Sequence, residues 1–433
     1  MIERMAHYSL QLPVIQNWSC HNCGGCCREH AITITPEERD RIQSQNWTPA
    51  DGIPASQPLF VEEKSWFGRS KIQLAHQPDG ACVFLNEQGL CRIHAKFGEP
   101  AKPLACRIYP YAFHPAGNEL AISLRFSCPS VAVNRGKSIS AQKQDLRELA
   151  EMVAPPDYHK IAPPRLTRKT QLDWPDTLRI VESLDYTLSD EDSWVAVKLL
   201  RALFWIDLIA KSRFTKIRGE RLEELLNLLV EASRVEVPDL PETTPLPSGI
   251  GQTQFRLLAG LYARKDTAAN IDRSFVGRKK QLQAALQLTQ GKGTLPAFSE
   301  ELKAVPFDAL ESVTAPPTAE TEEMLSRYFR VKLQGMHFCG RAYFNVPLIE
   351  GFQTLALMFP VVMWIARWRA ASDRRTVASH SDVLFALTLA DHQYGYSPLH
   401  AQWGSRRRVK NLVANEDLQR LIIHYASSHC VTN

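Results

Sequence analysis

CHNCGGCC, residues 20–27, governs how the rest of the chain is read. It places four thiols, Cys20, Cys23, Cys26 and Cys27, in eight positions of a 433-residue chain that has ten cysteines in all, which is too dense for chance. Working outward, Cys82, Cys91, Cys106 and Cys128 follow, and beyond residue 129 only Cys339 and Cys430 remain. That asymmetry predicts an N-terminal cysteine-rich metal module over residues 1–153. The first twenty residues, MIERMAHYSLQLPVIQNWSC, have no apolar run of signal-peptide length, so a cytoplasmic location is expected. In a reducing compartment clustered cysteines favour metal over disulfides.

Thiolates are soft donors that select zinc or iron–sulfur clusters. Structural zinc commonly uses two CxxC knuckles, and the second is missing here: eight residues separate Cys82 from Cys91, and fourteen separate Cys91 from Cys106. A C-x2-C-x2-C triplet with a distant Cys-Pro is instead the pattern of bacterial ferredoxins. Cys20, Cys23, Cys26 and Cys128-Pro129 supply both parts, so spacing groups them around one 4Fe–4S cluster and leaves Cys27, Cys82, Cys91 and Cys106 for a second site. Zinc stays open as the alternative. Cys26 and Cys27 are expected to point apart unless the chain turns sharply at Gly24-Gly25. The triplet is not the CxxxCxxC of radical S-adenosylmethionine enzymes. For the isolated Cys339 and Cys430, burial in an apolar core is the simpler reading.

Residues beside the thiols are candidates too. Arg107 and Arg92 each follow a cysteine, where a cation lowers a thiolate pKa or pairs with a cofactor carboxylate. A structural ion pair is the bland alternative for both, and the favoured one for Arg92. Tyr109 and Tyr111 flank Pro110 and either shield a cluster or pack in a core. His30 and His94 are spare ligands that eight thiols make unnecessary.

The module reads as irregular α+β. Thr35–Ser44 carries a capping box, with Thr35 at the N-cap and Glu38 at N3, and 121–128 alternates as a strand leading to Cys128. A proline-rich connector, residues 154–165, precedes a mostly helical region over 166–433, so the fold class expected is α-rich. Helical spacing recurs at 194–211, 221–233, 254–265, 277–288, 322–335, 348–370, 381–395 and 415–428, the 348–370 helix kinking at Pro360. The longest apolar run, Thr354–Ala366, is 13 residues and contains Pro360. A membrane span needs about 20. A buried helix is therefore expected and no membrane span. A net charge of +5 gives no strong nucleic-acid signal. Tyr328, Arg330, Lys332, His337, Arg341 and Tyr343 read as a solvated helix face or, functionally, as the lining of a cleft. HQYGYSPLH (392–400) is a candidate site loop, and GSRRRVK (404–410) a basic surface patch.

Taken together, residues 20–27, ACVFLNEQGLCRIH (81–94) and KPLACRIYPYAF (102–113) resemble the CxxCxxCC cysteine-cluster family of zinc- or iron-chelating proteins. Pro103, Cys106, Arg107, Tyr109 and Pro110 fit its P-x2-C-R-x-[YF]-P pattern. The resemblance covers roughly residues 17–130. The larger arrangement, a cysteine cluster followed by aromatic-rich helices such as 326–344, is similar to the flagellin lysine N-methylases. That resemblance implies transfer of a methyl group from S-adenosylmethionine to lysines of a protein substrate, with flagellin as the candidate, and an iron–sulfur cluster in the enzyme. No glycine-rich fingerprint for the cofactor accompanies it, so cofactor binding is implied by the resemblance alone, with Arg107 and Tyr109 as the candidate contacts. The alternative is a non-catalytic zinc- or iron-binding module that docks a partner or carries electrons.

Overall fold

The computed structural model describes residues 8–63, 71–212, 216–241, 245–264 and 275–426. Cys430 lies outside them. The chain forms two compact units, one built on residues 19–111 with 275–278 and the other on residues 8–18, 112–264 and 279–426. The division falls at 18/19 and 111/112, not at the proline-rich connector. Strand Glu119–Leu124 explains this, because it packs on a helix of the C-terminal region and joins that core.

The cysteine unit is small and irregular. Among its described residues are the short helices α1 (Gly25–Glu29), α2 (Pro36–Gln43), α3 (Arg92–Phe97) and α4 (Leu104–Ile108). An antiparallel three-stranded sheet runs in the order Thr33–Ile34, Lys71–Leu74, Phe60–Glu63. The capping box at α2 forms as expected: the Thr35 hydroxyl accepts the Glu38 amide, and the Glu38 carboxylate accepts the Thr35 amide. Ile34, Ile42, Ile53, Leu74, Val83, Phe84 and Ile93 make the core, and Cys82 is buried among them.

The second unit is mostly helix. After α5 (Pro129–Ala132) and α6 (Lys143–Val153) come α7 (Trp174–Leu188), α8 (Val195–Lys211), α9 (Glu220–Glu236), α10 (Gly249–Tyr262) and α11 (Phe275–Gln290). Then follow α12 (Phe307–Glu311), α13 (Ala319–Gln334), α14 (Leu348–Ala356), α15 (Met358–Ser372), α16 (His380–Gln393), α17 (Pro398–Ala401), α18 (Trp403–Ala414) and α19 (Asp417–Ala426). Strand Glu119–Leu124 lies between Tyr111–Ala116 and Ser9–Gln11, the last running parallel to it.

Leu348–Ser372 is long and apolar enough to cross a membrane, yet its most apolar stretch is wholly buried inside this unit. The break between α14 and α15 falls at Leu357, three residues before Pro360. A proline there cannot donate to the carbonyl of Ala356, so the ladder loses one bond and the helix restarts. Helices α16, α19, α12 and α10 pack around α15. Trp364 and Trp368 fill the centre, with the Trp368 indole donating to the Lys303 carbonyl at 2.8 Å. Each such fully buried large side chain contributes about 1.5–3 kcal/mol. The fold is thus mainly α with small strands, as the sequence predicts.

Candidate metal centre

Cys26 and Cys27 sit on the first turn of α1, and the turn that brings them there is made by Gly24. Its φ of 68° is left-handed, a conformation costly for any residue with a Cβ. The Cys82 amide donates to the Cys27 carbonyl at 2.7 Å, which ties the second cysteine segment to α1. Residues 82–91 fold back as a tight loop. Asn86 and Leu90 bond each other, Leu85 bridges Cys91, and the Arg92 amide reaches the Phe84 carbonyl at 2.8 Å. Cys106 is carried by α4. Its neighbour Leu104 donates its amide to Glu38 Oε1 at 2.6 Å, so the capping residue of α2 also holds the helix that bears Cys106.

These constraints draw five thiols together. Cys26 hydrogen-bonds Cys27, and this bond, followed by burial, pushes the Cys26 thiol well above its ordinary range. Burial pushes Cys82 up to about 12, with repulsion from Cys91 and Cys26 added. Cys106 rises further through burial and then through Cys82, opposed by the Lys102 ammonium. Without a cation all three stay protonated at neutral pH. A bound metal reverses that sign, because thiolates ligate and thiols do not. Cys26, Cys82, Cys91 and Cys106 are therefore one electrostatic neighbourhood of soft donors. They fit a zinc or iron site in chemistry, although among the described residues no three Cys, His, Asp or Glu side chains are already closed to ligating geometry.

Within its own unit Cys26 has Cys27, Cys82, Cys91 and Cys106 as neighbours; Cys20 and Cys23 of the same unit are exposed, and Cys128 is a residue of the other unit. The nine described cysteines are all free thiols, and Cys339 is buried in the helical unit as expected.

Of the other candidates, Arg107 pairs with Glu99 at 2.9 Å. Tyr109, just beyond α4, lies with its ring 5.0 Å from that of His30. Arg92 donates to the Asp51 carbonyl at 2.9 Å, the structural role favoured for it. His94 is exposed on α3.

Residues 19–129 match the CxxCxxCC family. Its model is described as a "Putative zinc- or iron-chelating domain". Among curated proteins, the lysine-N-methylases of Salmonella choleraesuis (strain SC-B67) and Salmonella typhimurium (strain LT2) are each 28% identical over 123 residues, 27% of this chain and 29% of theirs. The flagellar biosynthetic protein FliU of Salmonella muenchen is 29% identical over 107 residues, 24% of this chain and 62% of that one. The chain thus spans under a third of the length of the two methylases it matches. No solved structure matches. All eight N-terminal cysteines fall inside the CxxCxxCC match.

Beyond the CxxCxxCC match, the aromatic–basic stretch is not a solvated face. Tyr328, Lys332, His337 and Tyr343 are buried, whereas Arg330 turns away to Asp185 at 2.9 Å and Arg341 is exposed. Lys332 is fully enclosed. Its Nζ pairs with Asp391 at 2.7 Å, donates to the Leu124 carbonyl at 3.2 Å and approaches His337 Nδ1 at 3.4 Å, among the rings of Phe126, Tyr328 and Tyr394. Burial lowers the Lys332 pKa and Asp391 opposes the fall. His337 is driven well below its ordinary value by burial and then by Lys332, and His114, 4.9 Å away ring to ring, falls to about 4 for the same reasons. Gly335 permits this approach, since a Cβ there would collide with Ser123.

HQYGYSPLH likewise turns inward. His392, Tyr394 and His400 are buried, and His400 stacks on Tyr262 at 4.0 Å. Tyr262, Tyr343, His400, Glu350 and Arg406 line a cavity of about 10 Å³, room for one water. Part of the basic patch is tied down as well. Arg406 at 2.8 Å, Lys410 at 3.4 Å and Arg168 at 3.7 Å all pair with buried Glu350.

The inward turn of 328–343 had one legible signal. Glu323, Arg327, Arg330 and Gln334 recur at helical spacing on one side of α13, and Lys332 falls instead on the apolar side, three, four and seven positions after Phe329, Tyr328 and Leu325.

Proposed function

We propose that this chain is an S-adenosylmethionine-dependent protein lysine N-methyltransferase with a cysteine-held metal. A 4Fe–4S cluster, which takes four thiolates, is the occupant we favour over zinc, and Cys20, Cys23, Cys26, Cys27, Cys82, Cys91, Cys106 and Cys128 are the thiols we assign to metal, enough for that cluster and a second four-coordinate site. The observation that carries the metal is the convergence of buried thiols around Cys26, Cys82, Cys91 and Cys106. The activity rests on the relatives, two of which are named lysine-N-methylase and one a flagellar biosynthetic protein. A flagellin-type protein is accordingly the substrate we assign, and the free thiols suit a cytoplasmic setting.

When bound, the metal cross-links the loops that carry its thiolates. Arg107 and Tyr109, immediately after Cys106, are the groups we assign to the cofactor, the guanidinium exchanging Glu99 for the methionine carboxylate. In the reaction a neutral lysine Nζ attacks the methyl carbon, the carbon–sulfur bond breaks, and S-adenosylhomocysteine leaves. The methylated nitrogen then sheds its proton.

Anaerobic purification with absorption spectroscopy and assay of iron, sulfide and zinc tests the metal. Stoichiometric zinc in a colourless protein would overturn the iron–sulfur assignment. Calorimetry with S-adenosylmethionine, followed by mass spectrometry of flagellin lysines, tests the activity. A second reading, a non-catalytic metal module that docks a partner or carries electrons, is favoured by the confinement of the family match to residues 19–129. Metal without cofactor binding would select it.

A further inference from the structure

We infer that Arg327 and the buried Lys332–Asp391 pair are positioning residues for Cys128, acting on the backbone at both of its flanks. The inference rests on the metal reading above.

Cys128 lies between strand Glu119–Leu124 and the single turn of α5, and its side chain is buried. On the upstream side Lys332 Nζ takes the Leu124 carbonyl at 3.2 Å, and Asp391 Oδ2 takes the Ser127 amide at 3.0 Å. The other oxygen of Asp391 holds Lys332. Arg125 adds a bond to the His392 carbonyl at 3.3 Å. On the downstream side Arg327 donates to the carbonyls of Val131 at 3.0 Å and Ala132 at 2.8 Å, at the C-terminal end of α5. Gln16 closes that side, accepting from Arg327 and donating to the Val131 carbonyl, each at 3.0 Å.

Arg327 and Lys332 both belong to α13, and Asp391 to α16. Two cations and a carboxylate are thus buried in order to bond the backbone of one short loop. A buried ion pair is weak evidence for stability, since apolar residues of similar volume often serve as well. What it supplies is fixed geometry. Within the loop, Cys128 is the one side chain with metal-ligand chemistry. Groups that orient a ligand in this way alter metal affinity by about 10–100-fold when removed.

Two neutral variants separate positioning from packing. Lys332→Met/Asp391→Asn removes both charges but keeps an acceptor for the Ser127 amide. Lys332→Met/Asp391→Leu removes the acceptor too. Each is purified anaerobically as the full chain beside the unmutated protein, and helicity, metal per chain and alkylation of Cys128 by mass spectrometry are measured. The Asn variant is expected to keep the metal and the protection of Cys128. The Leu variant is expected to remain helical, to bind metal at least about tenfold more weakly and to expose Cys128 to alkylation.

Arg327→Met and Arg201→Met form a second comparison, because Arg201 is equally buried but bonds Asp190 and the carbonyls of Val237 and Pro238. Loss of metal from the Arg327 variant alone supports positioning, whereas equal losses from both overturn it. Equal metal in every variant also overturns the inference and leaves the metal reading intact. An unmutated chain that holds no metal overturns both.

Discussion

Glu38 and Leu104, sixty-six positions apart, are joined by a 2.6 Å bond from the Leu104 amide to Glu38 Oε1, while Glu38 Oε2 still closes its own helix cap at Thr35. One carboxylate therefore ends α2 and starts the approach to Cys106. Glu38→Ala leaves two amides unmet, a loss of about 1–3 kcal/mol. Thermal unfolding and metal content should both fall. Glu38→Gln, which keeps one acceptor, should lie between Ala and the parent protein. Unchanged metal in Glu38→Ala would show that α4 holds Cys106 without this bond.

Serine substitutions sort the thiols. Cys26→Ser, Cys82→Ser, Cys91→Ser and Cys106→Ser should each reduce metal per chain, because these four share one neighbourhood. Cys339→Ser should leave metal unchanged, its thiol being buried alone in the helical unit. Elemental analysis of the five variants decides the matter, and full retention of metal by any of the four removes that residue from the ligand set.

Acid should destabilise the helical unit through its histidines. His114 is held neutral down to about pH 4 by burial first and by Lys332 second. His400 behaves alike, with burial as the cause. In the unfolded chain an imidazole titrates near 6.5, so between about pH 6.5 and 4 the unfolded state binds protons that the folded state refuses. Stability is complete above this window and falls as the pH drops through it. The loss is on the order of 3 kcal/mol for His114 by the bottom of the window. Urea unfolding at a series of pH values should show the slope, and His114→Phe should flatten it.

Lys332→Met alone should be far worse than its partnered form. It strands Asp391 as an uncompensated buried carboxylate, a loss of about 3–5 kcal/mol. Adding Asp391→Asn should recover most of that. A single variant as stable as the double in denaturant melts would mean that water reaches the pair.

Local rules made the helices and the Thr35–Glu38 cap legible, because cap, apolar period and proline positions lie within a few residues of one another. Helix α7 was overlooked although it carries the same signs, with Asp173 as its N-cap, Pro175 in its first turn and Ile180, Val181, Leu184 and Leu188 on one face. The company that Cys26 keeps was not legible. Its partners lie between 56 and 80 positions further along, and spacing within residues 20–27 carries no information about loops that return from elsewhere. The Lys332–Asp391 pair failed to show for a related reason. Charged residues are read as solvated by default, and only the choice of a partner on another helix makes the burial of a lysine tolerable.

The interruption at Leu357 has a bearing on how the protein is made. The apolar length of α14 and α15 leaves the ribosome before α16 and α19, two of the helices that cover it. Until they are synthesised, the segment most attractive to a bilayer or to another copy of itself has only the earlier helices, such as α10 and α12, to cover it. Chains cut short of Asp417 should therefore be ready clients for chaperones that bind exposed apolar stretches.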